Sequence, residues 1–288
     1  MPSKTRTRPA ADPDPQNTNQ RWGKQVLQLA RAEFLQLRRA RITLLYLLGL
    51  PVLLAFISFS TQGLYTDSGE HVDAGAASLI TMLPVVAAAL GFLHVTNLYT
   101  VRRDSHILKR LRVSGVTPSA VHAATTIPII TFVLGLTLVL VMVGIVLAGM
   151  FPQAPVMLLI AIVLAGVNMT LLGIWFMRFA QSAEAVQVIS LIPLMLLLFG
   201  SGATLPLEYF SDTVAQLLWL TPLAPLVDLF RSAYFGSDFF GGQVTNVEQL
   251  ATADLWTAAL PALALSIAWT ALAAYLVRSV SWTSRSSD

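Results

Sequence analysis

The sequence predicts an all-α membrane protein with six transmembrane helices. Of its 288 residues, 55% are hydrophobic and only 11% are charged, whereas a soluble protein carries about 25% charged residues. Long uncharged windows separate the charges, and nearly all of the basic residues fall on one side of those windows. Cysteine is absent, which excludes disulfides and thiolate metal sites.

The uncharged windows predict where the spans lie, because a helix that crosses a bilayer needs about 20 apolar residues. The window 113–177 is too long for one helix, and the two prolines of FPQAP at 151–155 favour a turn within it. Dividing the window there gives six spans. Their predicted positions are 42–62, 76–99, 126–150, 156–177, 186–203 and 256–277.

Lys and Arg predict the orientation, since cytoplasmic loops are enriched in both. Every Lys and Arg except Arg231 falls on the side of the N-terminus, so both termini are expected in the cytoplasm. The polar segment 1–20 is predicted to be a disordered tail, and 281–288 a second tail, leaving one transmembrane domain over 21–280. The excess of Arg over Lys is typical of GC-rich bacterial genomes, so we expect the plasma (inner) membrane of a bacterial cell.

Segment 21–41 has an apolar stripe at helical spacing that includes Trp22 and Phe34, while Arg31 and Arg38 lie mostly off that stripe. This pattern predicts an amphipathic helix in the cytoplasmic interface, with its basic groups near anionic lipid. Two interpretations remain open: a lipid anchor before span one, or a helix that also contacts a partner protein.

Between spans two and three, the segment 102–121 predicts a short basic helix on the cytoplasmic side. Asp104 or Ser105 can cap its start, and Gly115 can end it in the left-handed conformation. Thr117 followed by proline then predicts the start of the next helix.

The loop 203–255 is expected on the opposite side. Its apolar stretches 214–220 and 223–230 are too short to cross a bilayer and are split by Pro222 and Pro225. They predict two short re-entrant helices before span six.

Two segments resemble a known family. LKRLRVSGVTP at 108–118, directly after the pair Arg103-Asp104, resembles the cytoplasmic loop of ABC transporter permeases of the second type, the drug and polysaccharide exporter class. The segment at 201–236, which begins SGATLPLEYF, resembles the loop before the last span of such permeases. The resemblance covers residues 21 to about 280.

The resemblance implies that the short basic helix is a coupling helix, which docks on a separate ATPase subunit beside the N-terminal helix. At His106-Ile107 the sequence departs from the Gly-Thr of many relatives. The residues expected in the coupling role are Asp104, Leu108, Lys109, Arg110, Leu111 and Arg112, with Leu108 and Leu111 as apolar anchors.

The sequence lacks the motifs of an enzyme. No G-x-x-x-x-G-K-[ST] motif is present, the histidines show no metal-ligand spacing, and no G-x-S-x-G elbow occurs. No catalytic or metal-binding residue is therefore predicted. The polar residues His94, Asn97 and Asn168 lie in predicted spans and are expected to make interhelical hydrogen bonds.

These observations predict a permease subunit of an ATP-driven exporter that is not an enzyme by itself. By resemblance, two permease chains, identical or similar, assemble with two ATPase subunits, which bind ATP and Mg²⁺. The apolar spans favour a hydrophobic or amphipathic substrate such as a drug, lipid or natural product, and no nucleic acid is expected as a partner. The alternatives are a self-sufficient secondary carrier or channel, or a membrane-embedded enzyme.

Overall fold

The computed structural model describes residues 15–39, 49, 53–54, 56–180 and 182–280. In this part of the chain, sheet-like pairing is limited to one isolated bridge between Ser237 and Gln249. The helices are α1 Pro15–Arg39, α2 Ala74–Asp104, α3 Ile107–Val113, α4 Pro118–Ala148, α5 Pro155–Phe176, α6 Ala183–Ile189, α7 Leu191–Gly200, α8 Asp212–Trp219, α9 Ala224–Phe235 and α10 Thr252–Val277.

Four of these helices, α2, α4, α5 and α10, are long and apolar enough to cross a membrane. They lie where spans two, three, four and six are predicted. Span five corresponds to the shorter apolar segment Glu184–Gly200, formed by α6 and α7. Predicted span one, 42–62, lies largely outside the described residues, so the six-span order stays a prediction.

The helix α2 is the centre of the fold and is the most enclosed of the four long helices. Its α-helical hydrogen-bond pattern is interrupted at Met82, just before Pro84, and the helix has a π-helical segment at Ala88–His94. There it packs closely on α5. A Cβ atom added to Gly173 of α5 would lie only 2.7 Å from the carbonyl oxygen of Gly91. Small residues allow helix backbones in a membrane to approach this closely.

The N-terminal helix α1 runs beside α4 in the same direction. The indole Nε1 of Trp22 donates to Ser119 Oγ at 3.1 Å, and further along both helices the rings of Phe34 and Phe132 lie 5.8 Å apart. These contacts show that α1 packs along the first part of α4, and the interfacial position of α1 stays a prediction. The helix also begins at Pro15, inside the segment predicted to be a disordered tail.

The end of α2 opposite α3, which we call the far end, is covered by α8, α9 and the loop that follows them. The two short helices α8 and α9 meet at an angle of 88°. Every residue of α9 is buried. The loop then pairs with the segment before α2, where the amides of Asn246 and Val247 donate to the carbonyl oxygens of Asp67 and Ser68 at 2.8 and 3.0 Å.

Candidate coupling site

The short helix α3 has well-defined ends. It starts after His106, which has left-handed backbone angles (φ 58°, ψ 15°). At its other end, Gly115 has a φ of 80°, and the amides of Gly115 and Val116 donate to the carbonyl oxygens of Arg112 and Leu111 at 3.1 Å each. These two bonds form a Schellman motif, the helix ending that a left-handed glycine allows.

The start of α3 differs from the expected cap. Asp104 is the last residue of α2, and the Ser105 hydroxyl donates back to the carbonyl oxygen of Val101 at 2.7 Å. Neither side chain therefore caps α3. After α3 the prediction agrees with the structure, since Thr117 precedes α4 and Pro118 is its first residue.

One face of α3 packs into the chain and the other is exposed. Leu108 is fully buried, and Leu111 is partly buried against the same core. Val113 is 82% exposed. Lys109 and Arg110 line a surface depression of about 450 Å³ on the outer face, where Arg112 is also exposed.

The position of Leu108 corrects one expectation. Its side chain packs inside the chain rather than towards a partner, because it continues the apolar core that surrounds α2. Leu108 therefore holds α3 against its own protein. The surface open to a partner is formed by basic side chains and by Val113.

An ion pair joins α1 to the end of α2. Arg102 Nη2 donates to Glu33 Oε2 at 2.6 Å, and the two side chains are only 9% and 15% exposed. Glu33 has no signal in the sequence, because its partner lies 69 residues away and local spacing rules reach only three or four residues along a helix.

The neighbouring Arg103 points to a different element. Its guanidinium donates to the carbonyl oxygens of Met177 and Ala180 at 3.1 and 2.8 Å, in the turn after α5. Asp104 Oδ1 lies 3.3 Å from the same group. Consecutive arginines thus fix the base of α3 both to α1 and to the end of α5.

The helix α1 also contacts the turn after α3. Gln25 Nε2 donates to the carbonyl oxygen of Gly115 at 3.3 Å. A groove of about 260 Å³ lies between α1 and helices α2 to α4. Arg31 is exposed on α1, and the side chain of Arg38 lies outside the described residues.

The polar residues of the spans lie around α2 and α5. His94 ends the π-helical segment and Asn97 follows on the same helix. Asn168 of α5 is buried and donates through Nδ2 to the carbonyl oxygen of Pro222 at 3.4 Å, in the break between α8 and α9. Among the described residues, no group of three or more His, Cys, Asp or Glu side chains is placed to hold a metal ion.

The far end contains a buried cation, Arg231, which the sequence predicts to lie in a loop. Arg231 of α9 is fully buried. It donates to Thr81 Oγ1 and Tyr65 OH at 2.8 Å each and to the carbonyl oxygen of Gly202 at 2.6 Å. Its Nη1 lies 3.8 Å from the buried Asp228. One side chain thus connects α9 to α2, to the segment before α2 and to the turn after α7.

Four helices long and apolar enough to cross a membrane fit a multi-pass membrane protein. The sequence profile of ABC-2 family transporter proteins matches residues 55–277, well over half of the chain. The protein therefore belongs to this family of transporter permeases. A comparison with curated proteins found no match.

Proposed function

We propose that this chain is the transmembrane subunit of an ATP-driven exporter in which α3 transmits the ATPase cycle to the spans. Two copies of the chain, or one copy and a similar permease, assemble with two ATPase subunits. The ATPase subunits bind ATP and Mg²⁺. In this proposal α3 and both termini face the cytoplasm of a bacterial cell, and the complex lies in its plasma membrane.

The two unlike faces of α3 carry the proposal. Its inner face is fixed through Leu108, and its base is fixed through Arg102 and Arg103. Its outer face presents Lys109 and Arg110 around a depression. Because α3 is held rigidly and its exposed face is basic, it can bind an acidic surface of a partner. A movement of that partner would then be transmitted to the helices that α3 contacts.

The apolar character of the long helices supports a hydrophobic or amphipathic substrate, such as a drug, a lipid or a natural product. Each of the four long helices has an 18-residue window with at most two Asp, Glu, Lys or Arg residues. A free ion would need polar ligands to replace its water, because charge in an apolar membrane interior is costly.

The test is co-expression with the Walker-motif ATPase subunit proposed as the partner, followed by purification and measurement of ATP hydrolysis. We expect the two subunits to co-elute. Arg110→Glu should weaken their association tenfold or more, because losing one member of a desolvated interfacial charge pair costs about 2–5 kcal/mol. The control is Arg8→Glu, in the predicted tail, which should leave association unchanged.

Two results would contradict the proposal. If the purified chain alone moves a lipophilic dye such as Hoechst 33342 across vesicles at the same rate with and without the ATPase, it is a self-sufficient carrier or channel. If Arg110→Glu leaves co-elution and ATP hydrolysis unchanged, α3 is not the docking element.

A further inference from the structure

The helix α8 lies on the surface of the far end. None of its residues is buried, and Leu217 is 63% exposed. The helix that follows it, α9, is buried along its whole length. At the C-terminal end of α8, Trp219 packs against the core, and the rest of α8 is exposed or half-buried, so a few specific contacts hold the helix in place.

The residues on both sides of α8 are firmly held. Before it, Glu208 Oε2 accepts hydrogen bonds from the amides of Val244 and Thr245 and from the Thr245 hydroxyl, at 3.0, 3.2 and 2.7 Å. After it, α9 is fixed by Arg231. After α8, Leu223 is fully buried and the Pro222 carbonyl accepts from Asn168. The segment between these fixed points, 209–221, is therefore the part that can move.

Two indole groups hold the C-terminal end of α8. Trp219 Nε1 donates to Asp228 Oδ2 at 2.7 Å. The next residue, Leu220, accepts through its carbonyl oxygen from Trp269 Nε1 of α10 at 2.8 Å. The bond to Asp228 is the one made by a side chain of α8 itself, so its loss acts on this helix directly.

Asp228 does not depend on Trp219 for its own position. Its Oδ2 also accepts from the amides of Gly241 and Gly242 at 3.0 and 3.1 Å, and Arg231 lies beside its other oxygen. The carboxylate therefore stays satisfied when the indole leaves. Breaking the Trp219 bond should free α8 without unfolding the far end.

Grooves lie on both sides of α8. An apolar groove of about 470 Å³ separates it from α7, and a more polar groove of about 690 Å³ lies on its other side. Phe210 and residues of α8 line both grooves, so they form the wall between them. A rotation of α8 would join the two spaces into one, with an apolar wall and an acidic rim that includes Glu208 and Asp212.

We propose that α8 is a hinged flap at the far end and that the Trp219–Asp228 hydrogen bond is the latch that keeps it closed. Opening the flap merges the two grooves into a single cavity suited to an amphipathic molecule. The flap is a property of this chain alone. It holds or fails independently of the proposed partnership with an ATPase.

The test uses spin labels on the full chain in lipid nanodiscs, which the absence of cysteine makes free of background. Labels at Thr213 of α8 and Thr252 at the start of α10, both exposed, report the position of the flap. In the parent we expect one narrow distance distribution. In Trp219→Phe the ratio of open to closed flap should rise about 10- to 100-fold, and Trp269→Phe should shift it in the same direction by less.

The matched control is Trp256→Phe, a partly buried tryptophan of α10 that makes no hydrogen bond among the described residues. It should give the parent distribution. A Trp219→Phe distribution equal to that of the parent overturns the latch. Equal broadening in Trp219→Phe and Trp256→Phe also overturns it, because the effect would then come from lost packing. Co-elution with the ATPase, measured separately, decides the proposed function without bearing on the flap.

Discussion

Arg102 and Glu33 form a largely buried ion pair of 2.6 Å that joins the end of α2 to α1. Arg102 Nη1 also donates to the Thr125 hydroxyl on α4 at 3.4 Å, so one side chain of α2 contacts two other helices, α1 and α4. The pair therefore connects α1 to the end of α2 from which α3 continues.

Glu33→Gln should destabilise the protein, because it leaves the charge of Arg102 buried without its partner. The expected loss is about 3–5 kcal/mol, as for other buried pairs broken on one side, and thermal unfolding in detergent measures it. The double exchange Glu33→Arg with Arg102→Glu should recover a substantial part of that loss. Arg31→Gln, on the exposed side of α1, is the control and should change little; a double exchange no better than Glu33→Gln would contradict the pairing.

Substitutions at Leu108 and Val113 can distinguish the contribution of α3 to stability from its proposed docking on the ATPase. Leu108→Ala should cost about 2–5 kcal/mol of stability, the usual cost of a cavity in a core, since its side chain is fully buried. Val113→Ala, at 82% exposure, should stay within about 0.5 kcal/mol and weaken only association with the ATPase. Unfolding curves and co-elution measure the two effects. Normal stability of Leu108→Ala combined with lost association would show that Leu108 faces the partner after all.

His106 occupies a backbone conformation that glycine adopts more easily. At φ 58°, a residue with a Cβ atom costs about 1–2 kcal/mol, so His106→Gly should raise the unfolding temperature. His106→Val should lower it, because β-branched side chains fit this region worst. Differential scanning fluorimetry of the two variants gives the comparison. If both variants shift the unfolding temperature in the same direction, the His106 side chain, and not its backbone conformation, determines the effect.

The sequence predicts the parts of this fold that depend on local pattern. The uncharged windows indicate where α2, α4, α5 and α10 lie, and the left-handed Gly115 follows from its place after an amphipathic turn. The contacts that fix α3 could not be found in this way. Glu33 and Arg102 belong to separate segments, and the acceptors of Arg103 are backbone carbonyls, which have no side-chain signature.

Burial is the other quantity that local pattern could not supply. Arg231 and Asp228 read as charges of an exposed loop, yet both are buried, because their helix is enclosed by elements from three other parts of the chain. The parallel course of α1 beside α4 is likewise set by tertiary contacts. An amphipathic stripe shows that a helix has an apolar face, but not what covers it.

The absence of cysteine allows a direct test of orientation. Ser211→Cys and Gln249→Cys are exposed positions at the far end and should react with a membrane-impermeant maleimide on intact cells. Val113→Cys should react only after the cells are permeabilised. Ser237 is fully buried, so Ser237→Cys is the control and should stay unlabelled in both. Labelling of Val113→Cys in intact cells would place α3 outside and reverse the proposed topology.

Two glycines in long helices, one in the close contact between α2 and α5 and one in open space, should respond oppositely in stability when replaced by alanine. In Gly173→Ala the new Cβ would lie 2.7 and 2.8 Å from the carbonyl oxygens of Gly91 and Phe92, which are backbone atoms that cannot move alone. Overpacking of this kind costs about 1–3 kcal/mol. In Gly135→Ala nothing lies within 4 Å of the new Cβ, and alanine is the better helix former by about 0.5–1 kcal/mol. Thermal unfolding of the two variants should therefore shift down for Gly173→Ala and stay level or rise for Gly135→Ala. A tolerated Gly173→Ala would mean that the π-helical segment of α2 yields to make room, and hydrogen exchange at Ala88–His94 would then increase relative to the parent.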